Sequence, residues 1–442
     1  MTDLSNNNAE VLVKDIVHFR DDLFFEGAVQ LRWVKDNPER AERAATNFVF
    51  HGPRYHAVHS DSPADGYVLK DTATFVTNLV EEIAQGREKQ GNPFSLAIAG
   101  YGSGKSHLAV TLAKLLANPD TPTANVIRDR VARADNELGH QLSQSLELLG
   151  KPALVVPLDG MANFNLGSEI ARQIILQLKN AGCDLSPVEE LSPRFNIAAN
   201  FVRRNFSLRQ ADFAEVLPGL NEVAIIERLD EHDEVTYAAV DTIYEAANGA
   251  HIPVEGNESV QDLIATVTSQ YCNANGPFSG LFILFDEFGR FLEYAAEHPH
   301  LAGDSALQQL FQGIQDASGR ARFLGFIQYD LKAYVSRLDR RDLMHLQRYI
   351  TRFEAAQKSY LSTNLETLFA HLIEKRHTDF IDQKVLHNDH DEAEHGLLLQ
   401  AVPEAKRLPV WADPDKFRQV ITSGCWPLHP FAVWFLTRQQ DV

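Results

Sequence analysis

The segment from Ala99 to Ser106, Ala-Gly-Tyr-Gly-Ser-Gly-Lys-Ser, has residue types and a spacing that could bind the phosphates of a nucleotide. It is a relaxed phosphate-loop pattern, with Ala99 where the strict pattern has its first Gly. Glycines let such a loop fold around the β- and γ-phosphates with its backbone N–H groups pointing inward, and a following helix adds the partial positive charge of its N-terminus. Lys105 is expected to reach the phosphates, and Ser106 to place its hydroxyl on Mg²⁺. The pattern predicts a phosphate-binding set of Gly100, Tyr101, Gly102, Ser103, Gly104, Lys105, Ser106 and His107.

Two acids at the end of an apolar run form the second part of the predicted site. The run Leu281 to Phe285 is typical of a buried strand, and it delivers Asp286 and Glu287 at its carboxyl end, where ligands bind in open α/β sheets. Asp286 is expected to hold Mg²⁺, usually through water, and Glu287 to orient and deprotonate an attacking water. Alone, such acids are equally compatible with a turn. Beside a phosphate loop they indicate hydrolysis, because a carboxylate placed for water favours water over a metabolite as the nucleophile.

Four continuous apolar runs must position these residues, and they are separated by helical patterns. Continuous runs are typical of strands buried on both faces, and these four cover residues 94–99, 153–158, 281–285 and 323–327. The first run leads through the phosphate loop into a helical run that ends at Ala117. A helix with Asp71 or Thr72 as its N-cap and Gly86 as its stop precedes it. The expected fold class is therefore α/β, with a parallel sheet flanked by helices.

The chain divides by pattern into an N-terminal segment (1–66), a core (67–360) and a C-terminal α-helical lid (361–442). The core contains a long helical insertion at about 186–257, and the lid includes a polar loop. Residues 221–249 hold eight acids against one base. These acids are expected to form a solvated helical face, with a docking surface for a basic partner as the alternative. The last residues have neither a helix stop nor a polar tail, so we expect the chain to continue in a longer polypeptide.

The composition of the 442 residues, 44% hydrophobic and 23% charged, excludes disordered and fibrous classes. A net charge of −19 argues against a uniformly basic surface for non-specific nucleic-acid binding but allows a local basic groove. Three widely separated cysteines suggest neither a disulfide framework nor a zinc ribbon. No leader pattern or long apolar run is present, so we expect a cytoplasmic protein without membrane contact. Two groups of histidines are expected to be solvated loop residues rather than metal ligands: His51, His56 and His59, and His387, His390 and His395.

Lys105-Ser106, the Asp286-Glu287 pair and a following strand with a polar residue at its end resemble the AAA+ ATPases over roughly residues 67 to 442. The helix before the first strand is similar to the branch that contains origin-recognition and STAND-type proteins. More narrowly, residues 99–108, 285–289 and 426–430 resemble the N-terminal ATPase part of large bacterial phage-defence ATPases, such as PglY-type proteins of BREX systems. The resemblance implies a P-loop NTPase fold, ATP and Mg²⁺ as cofactors, and homo-oligomerisation through nucleotide.

The AAA+ pattern implies further site residues. The sensor-one position falls on Gln328, where family members more often carry Asn, Ser or Thr, and a Gln that caps a strand is an equally good interpretation. An arginine finger is expected after this strand, with Arg352 first and Arg348 second, against the alternative of a surface salt bridge. A sensor-two arginine would be Arg438. The loop 51–56 could cover the adenine, although a plain ordered loop is the better interpretation.

Two functions follow from the resemblance. The first is Mg²⁺-dependent ATP hydrolysis by an oligomerising motor or remodelling component of a bacterial anti-phage defence system, which acts on DNA or a protein complex with other defence proteins. The alternative is a STAND-like switch that holds nucleotide and turns over little. A small-metabolite kinase is disfavoured by the chain length and by the Asp286-Glu287 pair, and a DNA-binding module by the charge of −19.

Overall fold

The computed structural model describes most of the chain, in these ranges: 12–21, 27–53, 69–86, 92–100, 103–189, 191, 193–252, 259–303, 305–331, 334, 350–361, 365–376 and 388–438.

Two β-sheets are present in these ranges. Their strands are β1 (Val17–Phe19), β2 (Leu69–Lys70), β3 (Phe94–Ile98), β4 (Leu154–Asp159), β5 (Leu281–Asp286), β6 (Ala321–Ile327), β7 (Gln357–Leu361) and β8 (Ile373–Lys375). The larger sheet has the order β2-β7-β3-β6-β5-β4, and all its neighbouring strands are parallel. β1 and β8 form a separate antiparallel pair. The expected α/β class and the four predicted strands are confirmed, and β2, β7 and the small sheet are additional.

The helices of the first half are α1 (Val13–Ile16), α2 (Trp33–Asp36), α3 (Pro38–Asn47), α4 (Thr72–Gln85), α5 (Lys105–Ala117), α6 (Pro122–Ala134), α7 (Asn136–Leu149), α8 (Leu166–Asn180), α9 (Ser186–Glu189), α10 (Pro193–Asn205) and α11 (Gln210–Val216). The helices of the second half are α12 (Glu222–Asp230), α13 (Glu234–Asn248), α14 (Val260–Gln270), α15 (Phe288–Glu297), α16 (Pro299–Ala302), α17 (Ala306–Asp316), α18 (Leu365–Leu372), α19 (Asn388–Ala401), α20 (Pro409–Ala412), α21 (Pro414–Lys416) and α22 (Pro430–Thr437). A 3₁₀-helix covers Pro403–Arg407 and a π-helix Phe417–Gly424. Within the described part of the chain, none of the helices has the length and apolar character needed to span a bilayer.

Helices cover both faces of the large sheet because its strands present apolar side chains in both directions. On β5, Phe282 and Leu284 belong to a core with α3 to α7. Ile283 and Phe285 on the same strand belong to a second core with α8, α14, α15 and α17. The strands are thus fixed between two layers of helices, and their carboxyl ends lie together at one edge of the sheet.

Residues 31–50 of the N-terminal segment contribute to the first of these cores. Trp33, Ala44 and Phe50 are buried there beside α5. His51 is only 8% exposed, so the prediction of a solvated histidine is wrong at this position. Its backbone N–H donates to Thr72 Oγ1 and its carbonyl accepts from Ala73, which fixes it at the start of α4. His56 and His59 lie outside the described residues.

The predicted insertion is helical and has its own core. α10 to α13 bury an apolar cluster that consists of Phe195, Ala198, Ala199, Phe201, Val202, Phe213, Leu217, Ile225, Leu229, Tyr237, Val240, Ile243 and Ile252. Glu234 attaches this cluster to α8 of the sheet layers, since it accepts a hydrogen bond from Ser168 Oγ (2.8 Å), and it joins α13 to α10 by accepting from Arg194 Nη1 (3.0 Å). Asp241 accepts from the Ile252 N–H at 2.7 Å. Part of the acidic block therefore stabilises the insertion itself.

The C-terminal helices enclose another core, around Trp411, Phe417 and Val420. The polar loop expected in this region is wrong for residues 388–401, because α19 occupies them. His395 on α19 is buried rather than solvated: its Nε2 lies 2.7 Å from the Trp411 carbonyl oxygen and its ring stacks on Phe417. The apolar residues of α19 are concentrated near its C-terminal end, which weakens the helical pattern in the sequence. His390 also lies on α19, and His387 lies outside the described residues.

Candidate active site

The predicted phosphate loop connects β3 to α5 at the carboxyl edge of the large sheet. β3 is fully buried, and Gly104 ends the loop in the left-handed region, with φ 78° and ψ 18°. A Cβ at Gly104 would meet no atom within 4 Å, so its backbone angle rather than space accounts for the glycine. Ser103 Oγ donates to the Gly100 carbonyl at 2.7 Å and stabilises the turn. Tyr101 and Gly102 lie outside the described residues.

Lys105 is buried at the start of α5, with 6% of its surface exposed. Its Nζ donates to the carbonyl oxygens of Ala99 (3.1 Å) and Gly100 (2.9 Å). Burial lowers the pKa of the amine, and the carboxylates of Glu287 and Asp286 act in the opposite direction. The lysine charge therefore lies in the field of both predicted acids, and it is held by hydrogen bonds that a phosphate could replace.

Asp286 ends β5 and is almost fully buried, with 2% of its surface exposed. The Ser106 hydroxyl donates to its carboxylate, and so does the Glu287 backbone N–H at 3.0 Å from Oδ1. Burial is the main cause that raises the Asp286 pKa to about 6, and the charge of Glu287 adds to the effect. The structure thus brings together the two residues predicted to hold Mg²⁺.

Glu287 stands in the left-handed region, with φ 50° and ψ 37°, at the N-terminus of α15. This conformation is strained for a residue other than glycine, and such strain is concentrated at functional sites. Gly160, just after β4, supports it from the neighbouring strand: its N–H donates to the Asp286 carbonyl at 2.9 Å. A Cβ at Gly160 would lie only 2.4 Å from the Glu287 carbonyl oxygen, so this close approach requires glycine.

Asp159 is a third carboxylate at this edge, and it is absent from the predicted set. It ends β4 and lies beside Asp286 in the sheet register. Its charge also raises the Asp286 pKa, and its Oδ1 accepts from the Met161 N–H at 3.0 Å. The sequence does carry a signal for it, because Asp159 directly follows the apolar run 153–158 just as Asp286 follows its own run.

Gln328 follows β6, and β6 lies between β3 and β5. Its partly exposed side chain therefore starts from a point between the phosphate loop and the acid pair. Its backbone N–H donates to the hydroxyl of Tyr334 at 3.2 Å. The next residue, Tyr329, lies close enough to Lys105 to influence the pKa of that amine.

His107 is placed differently from the rest of the phosphate-binding set. Its Nε2 lies 2.6 Å from the Ala44 carbonyl oxygen, so that nitrogen donates, and its ring contacts Phe48 edge to face. Burial lowers the pKa of the imidazole. The side chain of His107 thus attaches α5 to α3, and only its backbone belongs to the first turn after the loop.

The predicted arginines lie away from the loop or outside the described residues. Arg352 comes just before β7, whose register with β3 begins at Gln357 opposite Ser95, so its backbone lies toward the amino edge of the sheet. Arg438 donates to Glu366 Oε1 at 3.4 Å and stacks on the Trp434 ring, so it stabilises the C-terminal helices. Arg348 lies outside the described residues.

The donor set suits a phosphate-bridged Mg²⁺ rather than an all-protein cage. No group of three His, Cys, Asp or Glu side chains able to hold a metal ion is found in the ranges that the structure describes. Mg²⁺ commonly takes only one or two protein carboxylates, and it completes its shell with water and substrate phosphates. Ser106 and Asp286 would be the protein ligands in such a site.

The buried carboxylate predicts a pH-dependent stability cost in the metal-free protein. Because the Asp286 pKa rises from 3.8 to about 6, the folded state binds a proton more tightly than the unfolded state between these values. The free energy of unfolding therefore falls as the pH rises through this window, by about 3 kcal/mol in total. Asp286→Asn should stabilise the protein by up to about this amount at pH 8 and by little at pH 4. Urea denaturation in chelator at several pH values measures it, with the exposed Asp120→Asn as control. A gain that is equal at all pH values would contradict the prediction.

The described residues thus place a buried lysine, a hydroxyl and three carboxylates at one edge of a parallel sheet. This set has the groups needed to bind polyphosphate with Mg²⁺ and to activate a water. Neither a protein-family model nor a curated protein matches this chain.

Proposed function

We propose that the chain is an AAA+-like P-loop ATPase that binds ATP with Mg²⁺ and hydrolyses it. The observation that carries the proposal is the meeting of Lys105, Ser106, Asp286 and Glu287 at one sheet edge, with the Ser106 hydroxyl on the Asp286 carboxylate. Two adjacent pairs of residues, about 180 positions apart in the sequence, form one cluster with the charged and hydroxyl groups that phosphoryl transfer requires.

Each residue has a role that its position supports. Lys105 exchanges the carbonyl oxygens of Ala99 and Gly100 for the β- and γ-phosphates, and Ser106 and Asp286 hold Mg²⁺, which neutralises charge on these phosphates when bound. Glu287 accepts a proton from water while the water oxygen bonds to the γ-phosphorus. The bond between the γ-phosphorus and the β–γ bridging oxygen breaks, and ADP and phosphate leave. Gln328, which follows β6 between the loop and the acid pair, would bind the γ-phosphate or the water.

Arg352 fits this scheme only as a contribution to a neighbouring subunit. Its backbone precedes β7, which begins opposite Ser95, so it lies toward the end of the sheet opposite its own phosphate loop. Homo-oligomerisation through nucleotide is therefore part of the proposal. Within it, the protein is a motor or remodelling component of bacterial anti-phage defence, which acts on DNA or a protein complex.

Lys105→Met tests nucleotide binding against a matched control on the same helix. Lys114 is also buried on α5, but its Nζ faces Glu42 at 3.6 Å and not the loop. Loss of a charge-assisted contact to phosphate should raise the Kd for ATP by about 10- to 100-fold in Lys105→Met, while Lys114→Met binds as the wild type. Fluorescent-nucleotide titration and phosphate release, with and without duplex DNA, measure both.

Equal ATP affinity in the wild type and both variants would contradict the proposal. Tightly retained ADP with negligible phosphate release would instead support the nucleotide-controlled switch. Stimulation of release by duplex DNA would identify DNA as the client.

A further inference from the structure

Tyr334 is a buried side chain, 5% exposed, and it contacts the chain just after β6 and the first turn of α15. Its phenol oxygen accepts the backbone N–H of Gln328 at 3.2 Å and that of Tyr329. It therefore binds the chain immediately after β6, where Gln328 leaves the sheet. Both N–H groups lie beyond Ile327, the last residue of β6 that pairs with β3, and the phenol oxygen accepts a hydrogen bond from each.

The opposite side of Tyr334 meets the first turn of α15. A Cβ at Gly289 would lie 2.2 Å from both Cζ and Oη of Tyr334, a distance that real contacts do not allow. Gly289 is two residues after Glu287, on the same helical turn. The ring of Tyr334 thus rests directly on the backbone that presents the predicted base, and the Glu287 charge lies within its electrostatic range.

We propose that Tyr334 is a positioning residue whose phenol sets the separation between Gln328 at the end of β6 and Glu287 at the start of α15. This role rests on the proposed function, because hydrolysis requires both side chains at one water and one γ-phosphate. A misplacement of about 1 Å at a reacting centre can cost a factor of about 10² in rate. The hydrogen bonds after β6 account for the tyrosine hydroxyl, and the packing of the ring on α15 accounts for the absence of a side chain at Gly289.

Tyr334→Phe is the direct test, because it keeps the ring on Gly289 and removes only the acceptor oxygen. The matched control is Tyr271→Phe. Tyr271 is also buried and lies before β5, away from the carboxyl edge of the sheet, and its hydroxyl donates to the Asp184 carbonyl. We expect Tyr334→Phe to lower kcat for ATP hydrolysis about tenfold, with the Kd for ATP changed less than about twofold. The control should leave kcat unchanged.

Gly289→Ala tests the same contact from the helix. The added methyl group must displace the Tyr334 ring or the first turn of α15, so kcat should fall by a similar or larger factor. Since the Tyr334 Oη that Tyr334→Phe removes is one of the atoms that a Cβ at Gly289 would overlap, the effects of the two changes in the double variant should be less than multiplicative. Circular dichroism and thermal unfolding establish that each variant is folded before its kinetics are compared.

The outcomes separate this role from the function on which it rests. If the wild type hydrolyses ATP and Tyr334→Phe retains its kcat, the positioning role is wrong and the ATPase proposal stands. A loss shared equally by Tyr271→Phe, or a loss of ATP affinity in place of kcat, would show that the hydroxyl is only structural. If the wild type hydrolyses no ATP, the role and the function are both overturned.

Discussion

Glu287→Gln should reduce the rate of ATP hydrolysis by about 10²- to 10⁴-fold, because an amide cannot accept the proton of the attacking water. The substitution keeps the size of the side chain and its left-handed backbone, so the ends of β5 and α15 should stay in place. ATP should remain bound with nearly the wild-type Kd, because Lys105 and the loop supply the phosphate contacts. Light scattering should then show accumulation of any ATP-dependent oligomer.

Glu297→Gln is the control for this substitution, since Glu297 is exposed at the other end of the same helix. It should hydrolyse ATP at the wild-type rate. Equal rates in all three proteins would show that Glu287 is not the base. If Glu287→Gln instead loses both ATP binding and ATP hydrolysis, the Glu287 carboxylate supports the conformation of the phosphate loop.

Gly160→Ala should lower kcat by at least about 10²-fold and the free energy of unfolding by about 1–3 kcal/mol. The new methyl group would overlap the Glu287 carbonyl oxygen, an approach of 2.4 Å between atoms that need more than 3 Å. Because the obstructing atom is backbone, the ends of β4 and β5 must separate. This would move Asp286 and Glu287 relative to the loop.

Gly396→Ala is the matched control, because Gly396 lies within α19 and a Cβ there meets nothing within 4 Å. Alanine is favoured over glycine in a helix, so this variant should be as stable as the wild type or slightly more stable. Urea denaturation and phosphate release compare the two. Full activity in Gly160→Ala would mean that the contact between β4 and Glu287 is not needed for catalysis.

The central strands and the acid pair could be predicted because one physical rule covers them. Strands buried on both faces show as continuous apolar runs, and in a parallel sheet the residues just after each strand lie at the same edge. β3 and β5 obey this rule, and the side chains just after them meet across β6. The same rule applies to Asp159, which comes directly after the apolar run that ends at Leu158, although the predicted site did not include it.

Other parts carried weaker local signals. β7 has the sequence Gln-Lys-Ser-Tyr-Leu and is only half buried, since its outer neighbour β2 has two residues, so no continuous apolar run marks it. His395 is buried by tertiary packing on Phe417, which a polar local sequence does not reveal. The contact between the Tyr334 ring and the Gly289 backbone joins residues 45 positions apart. It depends on a close tertiary approach, which leaves no pattern in the sequence.

The pairing of β1 with β8 has a consequence for the synthesis of the protein on the ribosome. Val17 pairs with Lys375, so the first strand must wait for about 360 further residues before its partner exists. At roughly 5–20 residues per second, this interval is about 20–70 s. Ile16 and the strand after it must stay unpaired while the large sheet between them is completed. The closing of this small sheet therefore cannot precede the synthesis of the regions on both sides of the phosphate loop.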